Sequence, residues 1–136
     1  MSRIHRFVKN VFVFAQSIEP FPNAKIGAMI VKGNRVVSYG YNQKKTDPLQ
    51  HQYAKTEGCD YIHAEIHALK NALRVLDPDE LSECTLFVAR AKRPHKGSKR
   101  WIQGIAKPCP GCQKAISDFG IGTTVYTLDT RGFSIL

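Results

Sequence analysis

The sequence predicts an α/β fold, a mixed sheet covered by helices, read as one domain over residues 1–136. Three observations carry this reading. Apolar residues recur at helical spacing in separate stretches, alternating or β-branched runs stand between them, and strands separated by helices require parallel crossovers. With 136 residues and 43% hydrophobic content, the chain can bury a core without disulfides. No internal repeat or low-complexity stretch divides it.

The elements follow in order. Phe7, Val8, Val11, Phe12, Ala15 and Ile18 mark an amphipathic helix from about Arg3 to Ser17, and Glu19-Pro20 ends it. Lys25–Val31 and Val36–Tyr41 read as a hairpin turning at Lys32-Gly33-Asn34-Arg35. A polar, basic loop runs from Asn42 to about Asp60, long enough to be functional or flexible. Ile62, Ile66, Leu69, Leu73 and Leu76 then share one helix face, with Asp77-Pro78 closing that helix. Thr85–Ala89 is a strand. A further helix spans about Cys109 to Phe119 and stops at Gly120. Thr123–Thr127 is another strand, and Phe133–Leu136 is a candidate last one, antiparallel because the link to it is too short for a crossover.

Two short pieces carry the chemistry, His63-Ala64-Glu65 and Pro108-Cys109-Pro110-Gly111-Cys112. They supply one imidazole, one carboxylate and two thiols separated by two residues. Each opens a predicted helix, and such helix starts converge on the carboxyl edge of an α/β sheet. The helix dipoles there favour thiolates, and Pro108 and Pro110 suit a first turn. His63, Cys109 and Cys112 as three zinc ligands leave a fourth position for water, the mark of a catalytic site. Glu65 points to a neighbouring side, better placed to move protons than to ligate. The plainer alternatives are a core histidine with a redox Cys-x-x-Cys, and a carboxylate that merely stabilises a helix start.

His-x-Glu followed by Pro-Cys-x-x-Cys is the zinc deaminase signature, with the Glu as proton shuttle. On these residues and the element order, the chain resembles the cytidine deaminase superfamily, on its deoxycytidylate (dCMP) deaminase-like side, from Lys25 to Thr127. The resemblance implies a cytidine deaminase-like three-layer α/β/α sandwich with a mixed central sheet of about five strands. It implies zinc-dependent attack of water on C4 of cytosine, with Glu65 taking the water's proton and delivering protons to N3 and the departing amine. It also implies that Asn42, at the end of Gly40-Tyr41-Asn42, meets the sugar or base and that the backbone of Ala64 meets the base edge. Pro108 joins them as a substrate contact, and a homo-oligomer is expected. Two stretches depart from the family pattern: Lys44-Lys45-Thr46-Asp47-Pro48 after Asn42, and a basic segment before Pro108 where relatives run almost directly from strand to motif.

That segment holds Arg90, Lys92, Arg93, Lys96, Lys99, Arg100 and Lys107 with no acidic residue, within a chain of formal net charge +9. Such a balance favours an anionic partner. Lys44, Lys45, Arg100 and Lys107 are candidates to read a phosphate, Lys45 among the substrate contacts, against the plainer reading of a solvated charge run. Trp101 is a candidate to stack on a base, or simply to pack. His67 lies one turn past His63 but points away from the zinc, His51 and Cys59 lack further ligands for a second zinc, and Cys84 reads as a small buried hydrophobe.

Three functions compete. The first is a deaminase converting dCMP or CMP to the uracil nucleotide with release of ammonia. The second acts on cytosine or adenine in single-stranded DNA or RNA, suggested by the basic track with its embedded tryptophan. The third, an inactive zinc-stabilised binding module, has no use for Glu65 or an open coordination position. The short run Val11–Ala15 makes no secretory signal, no apolar stretch spans a bilayer, and a reducing cytoplasm is the expected compartment.

Overall fold

The computed structural model describes residues 2–19, 25–54 and 61–136. Helix α1 (Arg3–Ser17) starts at Ser2, whose hydroxyl accepts a hydrogen bond from the His5 N–H at 3.2 Å. Strands β1 (Lys25–Lys32) and β2 (Arg35–Tyr41) form the expected hairpin, turning at Gly33 with φ +65°. Helix α2 (Pro48–Gln52) and helix α3 (Ala64–Ala72) follow, then a 3-10 turn over Pro78–Glu83. Strands β3 (Cys84–Lys92) and β4 (Ile102–Gly104), helix α4 (Pro110–Phe119), and strands β5 (Thr123–Thr127) and β6 (Phe133–Ile135) complete the described elements.

The strands make one mixed sheet in the order β2-β1-β3-β5-β6, with β4 added to β3. Strand β1 is antiparallel to both β2 and β3, so those two run the same way. The β3–β5 pair is parallel, with α4 as its crossover, and β5–β6 is antiparallel as the short link demands. Alternation along the central strands sends side chains to two cores. Met29, Val31, Phe87 and Ala89 pack against Phe7, Val11 and Ala15 of α1. Ala28, Ile30, Leu86 and Val88 pack against Ile66 and Leu69 of α3 and Ile116 of α4. Helices therefore cover both faces, giving the α/β/α layering. Among the described residues no helix is long and apolar enough to cross a membrane.

Four local expectations are corrected. The polar stretch after Asn42 contains α2, started by Asp47, whose carboxylate accepts N–H groups from Leu49 at 2.9 Å and Gln50 at 3.3 Å. Residues 55–60, including Cys59 of the second-zinc idea, lie outside the described residues. Helix α3 ends at Ala72 rather than near Leu76, and Asp77-Pro78 opens the 3-10 turn, with the Glu80 carboxylate accepting the Asp77 N–H at 2.7 Å. Strand β3 runs on to Lys92 because Ala89 and Ala91 continue the buried face. The basic segment then folds back as β4, pairing Gly104 with Arg90 and Ile102 with Lys92.

Strand β2 lies hard against α3. A Cβ at Gly40 would come 2.3 Å from the Ala68 nitrogen and 2.4 Å from the Ala64 carbonyl oxygen, both backbone atoms. Gly40→Ala must therefore push β2 off the first turns of α3, with an expected loss of about 1–3 kcal/mol in urea unfolding. Asp47 ties α2 to α3 through an ion pair with Lys70. Burial raises its carboxyl pKa, but the Lys70 ammonium and the capped N–H groups outweigh burial and hold it below the usual value. The folded carboxyl thus titrates lower than the unfolded one, at about 3.9. Its stabilisation is complete above that value and lost as pH falls through the folded pKa. Wild type should be more stable than Asp47→Asn at pH 7, and the gap in unfolding midpoint should shrink below about pH 4.

Candidate functional site

Both ligand pieces sit at helix starts. His63 is the N-cap of α3, with extended backbone (φ −86°, ψ 158°), and makes no side-chain cap of its own. Cys109 is the N-cap of α4 with a similar backbone (φ −67°, ψ 164°), Pro110 occupies the first turn, and Cys112 is buried one turn in. His63 Nδ1 lies 3.3 Å from Cys112 Sγ and 3.7 Å from Cys109 Sγ.

One imidazole and two thiols are a zinc donor set. Zinc–nitrogen and zinc–sulfur distances of about 2.1 and 2.3 Å at a tetrahedral angle require N···S separations of about 3.6 Å. The two observed distances bracket that value, and the three donor atoms all lie within 4.8 Å of one another. Among the described residues this is the group of His, Cys, Asp and Glu that can hold a metal. The thiol side of the group is prepared for one. Hydrogen bonds to Cys112 and His63 push the Cys109 thiol down to about 3, outweighing burial. The Cys109 hydrogen bond in turn raises the His63 pKa against burial. The site therefore favours thiolate, the form that zinc binds, whereas the imidazole must give up its proton to ligate.

Glu65, in the first turn of α3, is 5% exposed, and burial raises its pKa above the ordinary carboxylate value. A cavity of about 360 Å³ opens over the group, lined by His63, Glu65, Cys109, Asn42, Ala64 and Arg90. Its volume falls at the lower end of small-molecule sites. Asn42 is fixed by the Ile26 N–H, which donates to its Oδ1 at 3.0 Å, and Ile26 lines the same cavity. Lys107 reaches it as well.

Other residues singled out in the sequence fall elsewhere. Pro108 is buried and is not among the residues lining the cavity, its carbonyl accepting the Gln113 side chain at 2.8 Å. Lys45 contributes its backbone, its carbonyl accepting the Ile62 N–H at 2.8 Å, while its side chain is not among those lining the cavity. Trp101 lines a neighbouring cavity instead and packs partly against the α1-side core. His67 Nδ1 lies 3.1 Å from both the Tyr41 N–H that donates to it and Gln43 Nε2, and burial lowers its pKa. It buttresses β2 and is outside the metal group. The Cys84 thiol is buried, and burial raises its pKa.

Sequence reasoning missed Gln50. Its side chain is 1% exposed, and its Oε1 accepts the His63 N–H at 2.9 Å. Tyr53, just past α2, donates from its hydroxyl to Asp118 of α4 at 2.9 Å. The short helix thus braces both ligand-bearing helices. A signal for the helix start, though not for the role of Gln50, was present as Asp47-Pro48, an N-cap followed by a proline at the first helical position.

Residues 1–128 match the family described as the cytidine and deoxycytidylate deaminase zinc-binding region. An uncharacterized deaminase in the luxG 3′ region of Aliivibrio fischeri is 28% identical over 141 aligned positions, covering 96% of this chain and 78% of that protein. Among solved structures, cytidine deaminase from Burkholderia pseudomallei superposes with a TM-score of 0.65 at 19% identity, over 100% of this chain and 92% of that one. The dCMP deaminase of cyanophage S-TIM5, in complex with dCMP and dUMP, gives 0.60 at 22% identity, over 92% and 80%. The metal-binding group, the fold and the extent of the family match agree: the chain belongs to the zinc-dependent cytidine and deoxycytidylate deaminase family.

Proposed function

We propose that the chain hydrolyses the exocyclic amine of a cytosine nucleotide, dCMP or CMP in the simplest case, giving the uracil nucleotide and ammonia. The observation that carries this reading is Glu65, a buried carboxylate lining the same cavity as His63 and Cys109. His63, Cys109 and Cys112 would hold a zinc ion, which would supply Lewis acidity to activate water near neutral pH. Glu65 takes a proton from the attacking water as its oxygen bonds to C4, and passes it to N3 of the base. It then relays a second proton to the amine as the C4–N bond breaks, leaving a carbonyl and free ammonia. Asn42, held by Ile26, presents its amide to the sugar or base, and the backbone of Ala64 borders the base edge. Burial of Glu65 helps it to hold the proton between the two transfers.

The test is a panel of cytosine and adenine nucleosides and nucleotides with a cytosine-bearing oligonucleotide, followed by ammonia release on zinc-loaded protein. Turnover of a cytosine nucleotide is expected. Glu65→Gln should lose about 10²–10⁴ in kcat with its zinc retained, whereas Cys112→Ser should lose zinc and activity together. Equal inactivity of wild type and Glu65→Gln on the whole panel, with zinc bound, would overturn the reading.

Gln50→Ala leaves the His63 N–H without its acceptor in a buried place. It should weaken zinc binding by about tenfold in competition with a chelator, and stability by about 1–3 kcal/mol. Unchanged zinc affinity would confine Gln50 to a folding role.

A further inference from the structure

Beside the cavity over the metal group lies a second, of about 660 Å³, lined by Lys25, Arg90, Lys92, Arg93, Lys96 and Trp101. Arg90 lines both. The second cavity carries five cationic side chains and no carboxylate on its wall, so it is a place where anions collect.

Its construction holds the cations together against their mutual repulsion. Lys25 Nζ sits 4.1 Å from the centroid of the Trp101 ring, and the Arg93 guanidinium 4.8 Å. Lys25 also donates to the Gln16 carbonyl at 2.8 Å, and Lys92 pairs with Asp129. Among the described residues no ion pair is made by Arg90, Arg93 or Lys96. The Arg90 stem crosses the bare backbone of β4, where a Cβ on Gly104 would meet its Cδ at 3.0 Å. Its main-chain N–H donates to Thr127 Oγ1 at 3.3 Å. The stem thus packs on β4, and its Nε is buried without a protein partner, a single such atom among the described residues. A guanidinium that lines both cavities and makes no ion pair among the described residues is available to an anionic oxygen such as a phosphate offers.

We propose that Arg90 seats a phosphate of the nucleotide and that Arg93 and Lys96 form a second subsite, taking a phosphate beyond the first. This deepens, and rests on, the cytosine-nucleotide reading. The ligand chemistry is a chain of phosphates leaving the first cavity over Arg90. A free nucleoside di- or triphosphate provides it, and so does the backbone of a short strand.

Trp101 is the chain's sole tryptophan and stands in the second cavity, so its fluorescence reports binding without turnover. Zinc-loaded protein is titrated with deoxyuridine mono-, di- and triphosphate and with a deoxyuridine trinucleotide, at two salt concentrations. Affinity should rise by about tenfold from mono- to triphosphate, with a steeper salt dependence. Arg93→Ala/Lys96→Ala should abolish that rise. Lys9→Ala/Lys114→Ala, which removes the same charge elsewhere, should preserve it. A rise with the trinucleotide but not with the triphosphate supports the subsite and assigns it to a strand. Equal affinity for all four ligands, or a rise that survives Arg93→Ala/Lys96→Ala, overturns the proposal. Cytosine-nucleotide turnover alongside that result would leave the deaminase reading standing. Conversely, the expected rise in binding without any turnover supports the subsite while the reaction assignment fails.

Discussion

Everything at the site depends on strands β2 and β3 running the same way. Each leads, after one intervening element, to a ligand-bearing helix, and both helices begin at one edge of the sheet. That is why an imidazole and two thiols far apart in sequence meet within hydrogen-bonding distance. Strand β1, between β2 and β3, makes the parallel relation possible by pairing antiparallel with both. The two cores then clamp the sheet from either face, so the helix starts cannot drift apart without opening packed apolar layers.

The ligand set also needs bracing, because an N-cap residue lies at the least constrained point of a helix. Gln50, Tyr53 and Asp47 supply this from one short helix by reaching α3 at two points and α4 at one. Buried polar side chains cost free energy unless satisfied. Gln50 is satisfied by the backbone of a metal ligand, so its burial and the position of His63 are two sides of one contact.

Much of this was legible in the sequence. Helix α1 and strand β5 have the bounds that their spacing predicts, and Gly120 ends α4 in the left-handed conformation, φ +78°. The metal group was legible because its chemistry demands particular side chains at particular intervals. What escaped was short or charged. Ile102–Gly104 is too brief for a period to show, and the alternation that extends β3 through Arg90 and Lys92 is hidden because its outward positions are long cations. The five residues of α2 carry a cap and a proline but too few apolar positions to mark a face. Gln50 was illegible for another reason: nothing local announces that a glutamine will be buried against a backbone amide that lies 13 residues away.

The β3–β4 hairpin joins the sheet where β5 has already stopped pairing with β3, at Val88. Chain added or removed between Lys92 and Ile102 therefore disturbs neither the parallel pair nor the helix that follows it. Heredity can act on the two halves of the enzyme separately. His63 and Cys109 open helices that are locked into the packed layers. Arg93 and Lys96 ride on the link between β3 and β4, outside those layers. The length and charge of that link are thereby uncoupled from the packing that brings His63 and the two cysteines together.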